Sequence, residues 1–180
     1  LYMEMLESAV KAIRAGKQPN PDQPFNHGAE INLGIPALIP EDYLGDVHTR
    51  LVLYKRIANA GSNEDLKELQ IEIIDRFGLQ PEQVKLLFRV TELKLLAEKL
   101  GIRKIDANAK GGRMDFGSET SIDPLMLIQL VQRHPQRYKM DGGSRLRYQI
   151  ETETHHERID VLADLLKTLA TKSTPSTDKK

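Results

Sequence analysis

The chain of 180 residues has no cysteine. Disulfides, thiolate metal sites and cysteine nucleophiles are therefore excluded, which fits a reducing, cytoplasmic setting. It has no excess of charge of either sign: 26 Lys and Arg balance 26 Asp and Glu. A uniformly basic nucleic-acid coat is excluded, while a local basic patch is not. No apolar run approaches the length of a transmembrane helix, and Leu1 to Glu4 have neither a basic n-region nor a signal-peptide h-region. Position 1 is leucine rather than an initiator methionine, which leads us to expect a piece of something larger.

Catalytic motifs are also lacking. There is no G-x-x-x-x-G-K-[ST] phosphate loop, so ATP hydrolysis is not expected. No G-x-G-x-x-G opens a helix after a strand. His155-His156-Glu157 resembles a metal cluster, but the residue four after His156 is Asp160, so the two-histidine zinc spacing fails. The triplet reads instead as the polar first turn of a surface helix. His27, His48 and His134 are scattered, and no serine sits in a nucleophile elbow. No catalytic residue, cofactor site or metal site is expected.

What is present is 39% hydrophobic and 29% charged residues, the balance of a globular protein with a solvated surface. Residues 1 to 16 read as a helical arm with an apolar stripe of Leu1, Met5, Leu6, Ala9, Val10 and Ile13. Pro19, Pro21 and Pro24 make residues 17 to 29 a linker. A short strand is expected at 30–34, then a helix from Pro40 to about Asn59. A further helix runs from Ser62 to Phe77, and another from Pro81 to Leu100. This last one is apolar on two faces, which predicts a central helix covered on both sides. Period-two alternation then predicts a hairpin turning at Gly111-Gly112, with Ala107 opposite Phe116 and Ala109 opposite Met114. Asp123-Pro124 opens a short helix to Arg133. A second hairpin pairs 137–140 with 144–150 around the loop 141–143. Thr154 to Glu157 is a capping box for a last helix, and 171–180 reads as a disordered tail. The fold class is α+β: a helical layer on a small antiparallel sheet built from two hairpins, with residues 30–170 as the domain.

Two charged surfaces stand out. Asp65, Glu68, Glu72 and Asp75 follow at spacings of three, four and three, so they stack along one helix face. Leu66, Leu69, Ile73 and Phe77 belong to the opposite, core side. The stripe is either a solvated face or a docking surface for an arginine-rich partner. The second hairpin has the opposite sign. A three-residue loop sets Lys139 against Arg145 and Arg137 against Arg147, while Tyr138, Leu146, Tyr148 and Ile150 face inward. These cations either protect a sheet edge or contact a phosphate backbone, although inward tyrosines leave no stacking platform.

Several motifs carry a resemblance. Leu1-Tyr2-Met3-Glu4-Met5-Leu6-Glu7, Glu30-Ile31-Asn32-Leu33, Ile39-Pro40-Glu41-Asp42-Tyr43-Leu44 and Ile71-Glu72-Ile73-Ile74-Asp75-Arg76-Phe77-Gly78 occur in order, followed by Lys99 to Lys104 and Lys110-Gly111-Gly112. Together they resemble the C-terminal end of the bacterial transcription-repair coupling factor (Mfd) family over residues 1 to 170. Residues 1–16 would be the end of the motor region. The resemblance implies an ATP-dependent translocase on double-stranded DNA as the parent, acting on stalled RNA polymerase and recruiting UvrA. It implies that this part is a non-catalytic, autoinhibitory domain that packs on a UvrB-like N-terminal module and masks UvrA recruitment. Glu72 and Asp75 match the family's acidic contact positions; Glu68 and Asp65 join them by helix geometry alone. The alternative is a nucleic-acid-contacting α+β module using Arg137, Lys139, Arg145 and Arg147. No membrane partner is expected.

Overall fold

The structure is a computed structural model and describes residues 28–171. The expectations for the helical arm at 1–16, for the linker up to residue 27 and for the tail beyond 171 lie outside the described residues.

Among the described residues the order is β1 (Glu30–Asn32), α1 (Val47–Ala58), α2 (Asn63–Phe77), α3 (Glu82–Lys99), β2 (Ile102–Asn108), β3 (Gly111–Phe116), α4 (Pro124–Arg133), β4 (Tyr138–Met140), β5 (Arg145–Gln149) and α5 (His155–Ala170). The strands form one sheet in the order β1-β2-β3-β5-β4. The fold is α+β, with one change to the expected sheet. It is mixed, because β1 pairs with β2 in parallel while the other pairs are antiparallel. Gly34 at φ 65 ends β1, and three helices intervene before its partner arrives.

The core lies between the sheet and α3. Ile31, Ile105, Met114 and Leu146 stand side by side across four strands, and all four are fully buried. α3 buries Val84, Leu87, Phe88 and also Leu86, Val90, Leu93 and Ala97, so both of its apolar stripes are covered. α5 packs against it through Ile159, Leu162, Leu166 and Leu169. The α5 capping box is formed: Thr154 Oγ1 accepts from the Glu157 N–H and Glu157 Oε1 accepts from the Thr154 N–H, each at 3.0 Å.

Three boundaries differ from the sequence reading. α1 begins at Val47, not Pro40. Residues 40–44 close a hydrogen-bonded turn, and Asp46 is the effective cap, accepting from the Thr49 N–H at 2.9 Å. The first hairpin turns at Ala109-Lys110, with Asn108 Oδ1 accepting from the N–H groups of Lys110 (2.8 Å) and Gly111 (3.2 Å). Ile105 therefore faces Met114 and Ala107 faces Gly112. The glycines are required within β3: a Cβ on Gly112 would lie 2.5 Å from the Asp106 carbonyl oxygen, and one on Gly111 2.2 Å from that of Tyr148. In the second hairpin the Asp141 N–H donates to the Arg145 carbonyl at 2.8 Å, so the three-residue loop is 142–144, shifted by one from the expected 141–143. Lys139 then faces Arg147, not Arg145, Tyr138 faces Tyr148, and Arg137 stands opposite Gln149 rather than Arg147.

Candidate protein and nucleic-acid interfaces

α2 positions the acidic stripe. Ser62 caps it, its Oγ accepting from the Asp65 N–H at 3.2 Å. Leu66, Leu69 and Ile73 anchor the inner face, and Phe77 packs edge-on to Tyr43 at 6.3 Å. The Tyr43 hydroxyl donates to the Gly78 carbonyl at 2.7 Å, pinning the C-terminal end. The stripe is thus held on a rigid helix, but its four acids are not equivalent. Asp65 turns back to accept from the Gly61 N–H at 3.1 Å. Glu72 receives both guanidinium nitrogens of Arg56 from α1, at 2.7 and 2.8 Å, and Arg76 from its own helix at 3.2 Å. The Arg56 hydrogen bonds, with help from Arg76, hold the Glu72 carboxyl down at about 2. Glu68 and Asp75 have no cationic partner among the described residues.

Between those two acids, three residues after one and four before the other, stands Ile71, 61% exposed. Ile74 (39%) and Leu79 (87%) extend it towards the end of the helix. Sequence reasoning missed Ile71 as a surface feature. The available signal was its position off the stripe of Leu66, Leu69, Ile73 and Phe77. The face thus combines an exposed apolar centre with flanking carboxylates that have no cationic partner among the described residues.

On the solvent face of the sheet, two rows of charge cross the strands. Glu30, Lys104, Asp115 and Arg145 alternate in sign. Asn32, Asp106, Arg113, Arg147 and Lys139 do not, ending in three adjacent cations. The four predicted basic residues separate accordingly. Arg145 is tied to Asp115 at 2.6 Å and Arg147 to Asp141 at 2.9 Å. Arg137 and Lys139 are exposed and have no carboxylate partner among the described residues.

Two members of the histidine triplet, His156 and Glu157, have structural partners. His156 Nε2 lies 2.5 Å from Glu82 Oε2, and Arg89 contacts both His156 and Asp160, so the cluster ties the start of α5 to α3. Among the described residues no group of three His, Asp or Glu is placed to hold a metal ion, and no helix is long and apolar enough to cross a membrane.

Comparison with known proteins places this chain in a family. The TRCF domain model matches residues 33–127. The transcription-repair-coupling factor of Haemophilus influenzae is 44% identical over 94% of this chain, and that of Escherichia coli K12 is 40% identical over 94%. In each case the chain spans only 15% of the relative's length. The crystal structure of a C-terminal domain of transcription-repair coupling factor superposes with a TM-score of 0.67 at 22% identity, covering 81% of this chain and 96% of that one. At that identity the superposition speaks for the fold, and the family assignment rests on the domain match and the bacterial relatives. The chain belongs to the TRCF domain family, and the relatives it matches are bacterial transcription-repair-coupling factors.

Proposed function

We propose that this domain is a regulatory, non-catalytic part of a cytoplasmic DNA translocase, docking through α2 onto the UvrB-like module of the same protein. Docking hides the UvrA-recruiting surface until stalled RNA polymerase on double-stranded DNA is engaged. What supports the reading is the outward face of α2, where exposed Ile71 lies between the unpaired carboxylates of Glu68 and Asp75. An apolar anchor ringed by charge supplies affinity at its centre and register at its rim. Exposed rim pairs contribute only about 0.2 to 1 kcal/mol each. Linkage within one polypeptide compensates, because tethering raises the effective concentration. Glu72 is already engaged by Arg56 and Arg76, so an arginine on the partner meets Asp75 and Glu68 first.

The test is a titration of this chain with the isolated UvrB-like module. Glu68→Lys with Asp75→Lys, and separately Ile71→Asp, should each weaken binding about tenfold or more without altering the melt. In the intact protein the same reversals should raise UvrA affinity by about one to two orders of magnitude. Unchanged affinity in folded variants would reduce the stripe to an ordinary solvated face.

A further inference from the structure

A second surface lies across the sheet from the helical core. Near the β2–β3 turn the sheet carries a trough of about 940 Å³, lined by Lys110, Arg113, Arg137, Lys139 and Arg147, with Asp106 as its acid. The strand pairing creates it. Arg113, Arg147 and Lys139 occupy directly opposed positions on three neighbouring strands, so three like charges stand in line over about 10 Å. Arg137 stands two residues before Lys139 on the same face, and Lys110 projects from the turn on the far side of Gly111. Gly111 faces Gln149 and has no side chain, which leaves the floor of the trough low between the two groups of cations. Like charges directly opposed on a sheet are destabilising, and here only two are relieved: Arg113 by Asp106 at 3.3 Å and Arg147 by Asp141 at 2.9 Å. Lys110, Arg137 and Lys139 have no carboxylate partner among the described residues.

We propose that this trough is a contact site for the phosphate backbone of duplex DNA, with Lys110, Arg137 and Lys139 as its principal contacts and Arg113 and Arg147 behind them. The three unpaired cations suit successive phosphates, because each neutralised phosphate releases a counterion without any partner carboxylate to be displaced first. A duplex fits better than a single strand. Tyr138 and Tyr148, the aromatic residues beside the trough, are buried, so unstacked bases have nothing to lie on. The residues lining the trough come from strands and turns, with no helix among them to present to a groove, so contact is with the backbone and is independent of sequence. Arg145 falls outside the site, tied to Asp115 in the neighbouring row. The surface is separate from α2, so its test does not depend on the docking reading.

The experiment is fluorescence anisotropy of the whole chain with a labelled duplex of about 20 base pairs, starting at about 25 mM salt. Affinity should be in the micromolar range and fall with salt at a log–log slope of about −3, the value for three or four phosphate contacts. Arg137→Glu with Lys139→Glu should weaken binding about tenfold or more, and Arg137→Gln with Lys139→Gln should do so more mildly if the reversal disturbs the fold. A charge-matched control on the helical layer, Lys55→Glu with Lys85→Glu, should retain most of the affinity. The proposal fails if the duplex does not bind at low salt, or if the control weakens binding as much as the trough variants. It also fails if polyglutamate of equal charge displaces the duplex with higher affinity, which would make the occupant an acidic peptide.

Discussion

Glu72 is an exposed carboxylate whose behaviour is set by two guanidinium groups, and this gives it a readable acid response. Its folded pKa is about 2, against 4.5 for the free side chain, with the Arg56 hydrogen bonds as the main cause. A lowered pKa means that the pair's contribution is complete above about 4.5 and is lost as pH falls through about 2. Melts of the wild type from neutral pH downwards should therefore show an added decline in that window. Glu72→Gln should lower the neutral-pH melting temperature slightly and flatten the decline. Equal slopes in the two proteins would show that the Arg56 contact is not maintained in solution. Gly112 is decided by space, not charge. Gly112→Ala drives a methyl to 2.5 Å from the Asp106 carbonyl and 2.8 Å from the Tyr148 ring, and should cost about 1 to 3 kcal/mol in chemical denaturation. Gly142→Ala, where nothing lies within 4 Å but φ is 71, should cost less, near the ~1 kcal/mol of a left-handed backbone.

Among the elements, α3 and α4 are opposites. Leu87 is fully buried at the centre of α3, and Leu87→Ala should cost about 2 to 5 kcal/mol. α4 contains Leu125, Met126, Leu127, Ile128, Leu130 and Val131 and buries none of them fully. Leu125→Ser or Ile128→Ser should leave stability within about 0.5 kcal/mol, measured by the same denaturation. Helix identity was legible because periodicity and caps are local: the two stripes of α3, the Thr154 capping box and the Asp123-Pro124 start all stand as read. Registers were less legible. Two glycines in a row signal a turn, yet Asn108 forms that turn and the glycines answer to a neighbouring strand more than 30 positions away. The acid spacing on α2 was plain, but the capture of Glu72 depends on Arg56 from a different helix. No local pattern encodes that pairing. The parallel partner of β1 was invisible for the same reason, since Ile31 meets Ile105 only after three helices have been placed.

For the molecule as a whole, charge neutrality conceals segregation. The acids of α2 and the cations of the β4–β5 end lie on different elements, so one chain of zero formal charge offers surfaces of both signs. The buried cluster runs from Ala29 to Leu169 and contains α3, the sheet and α5 together. Removing residues 1–27 should therefore leave a single cooperative transition with a nearly unchanged midpoint. A broadened or lost transition would assign those residues to the folding unit. The chain reaches this cluster through β1, a strand of three residues held by parallel pairing to β2 and by the fully buried Ile31. Among the described residues, tension applied from the N-terminal side thus falls first on the small side chain of Ala29, the three ladder positions and Ile31. In a mechanical sense β1 is the fastening that gives way before the sheet behind it. Optical-tweezer stretching from that end should release β1 at a lower force than the rest of the domain, with Ile31→Ala lowering that first yield and leaving the second in place.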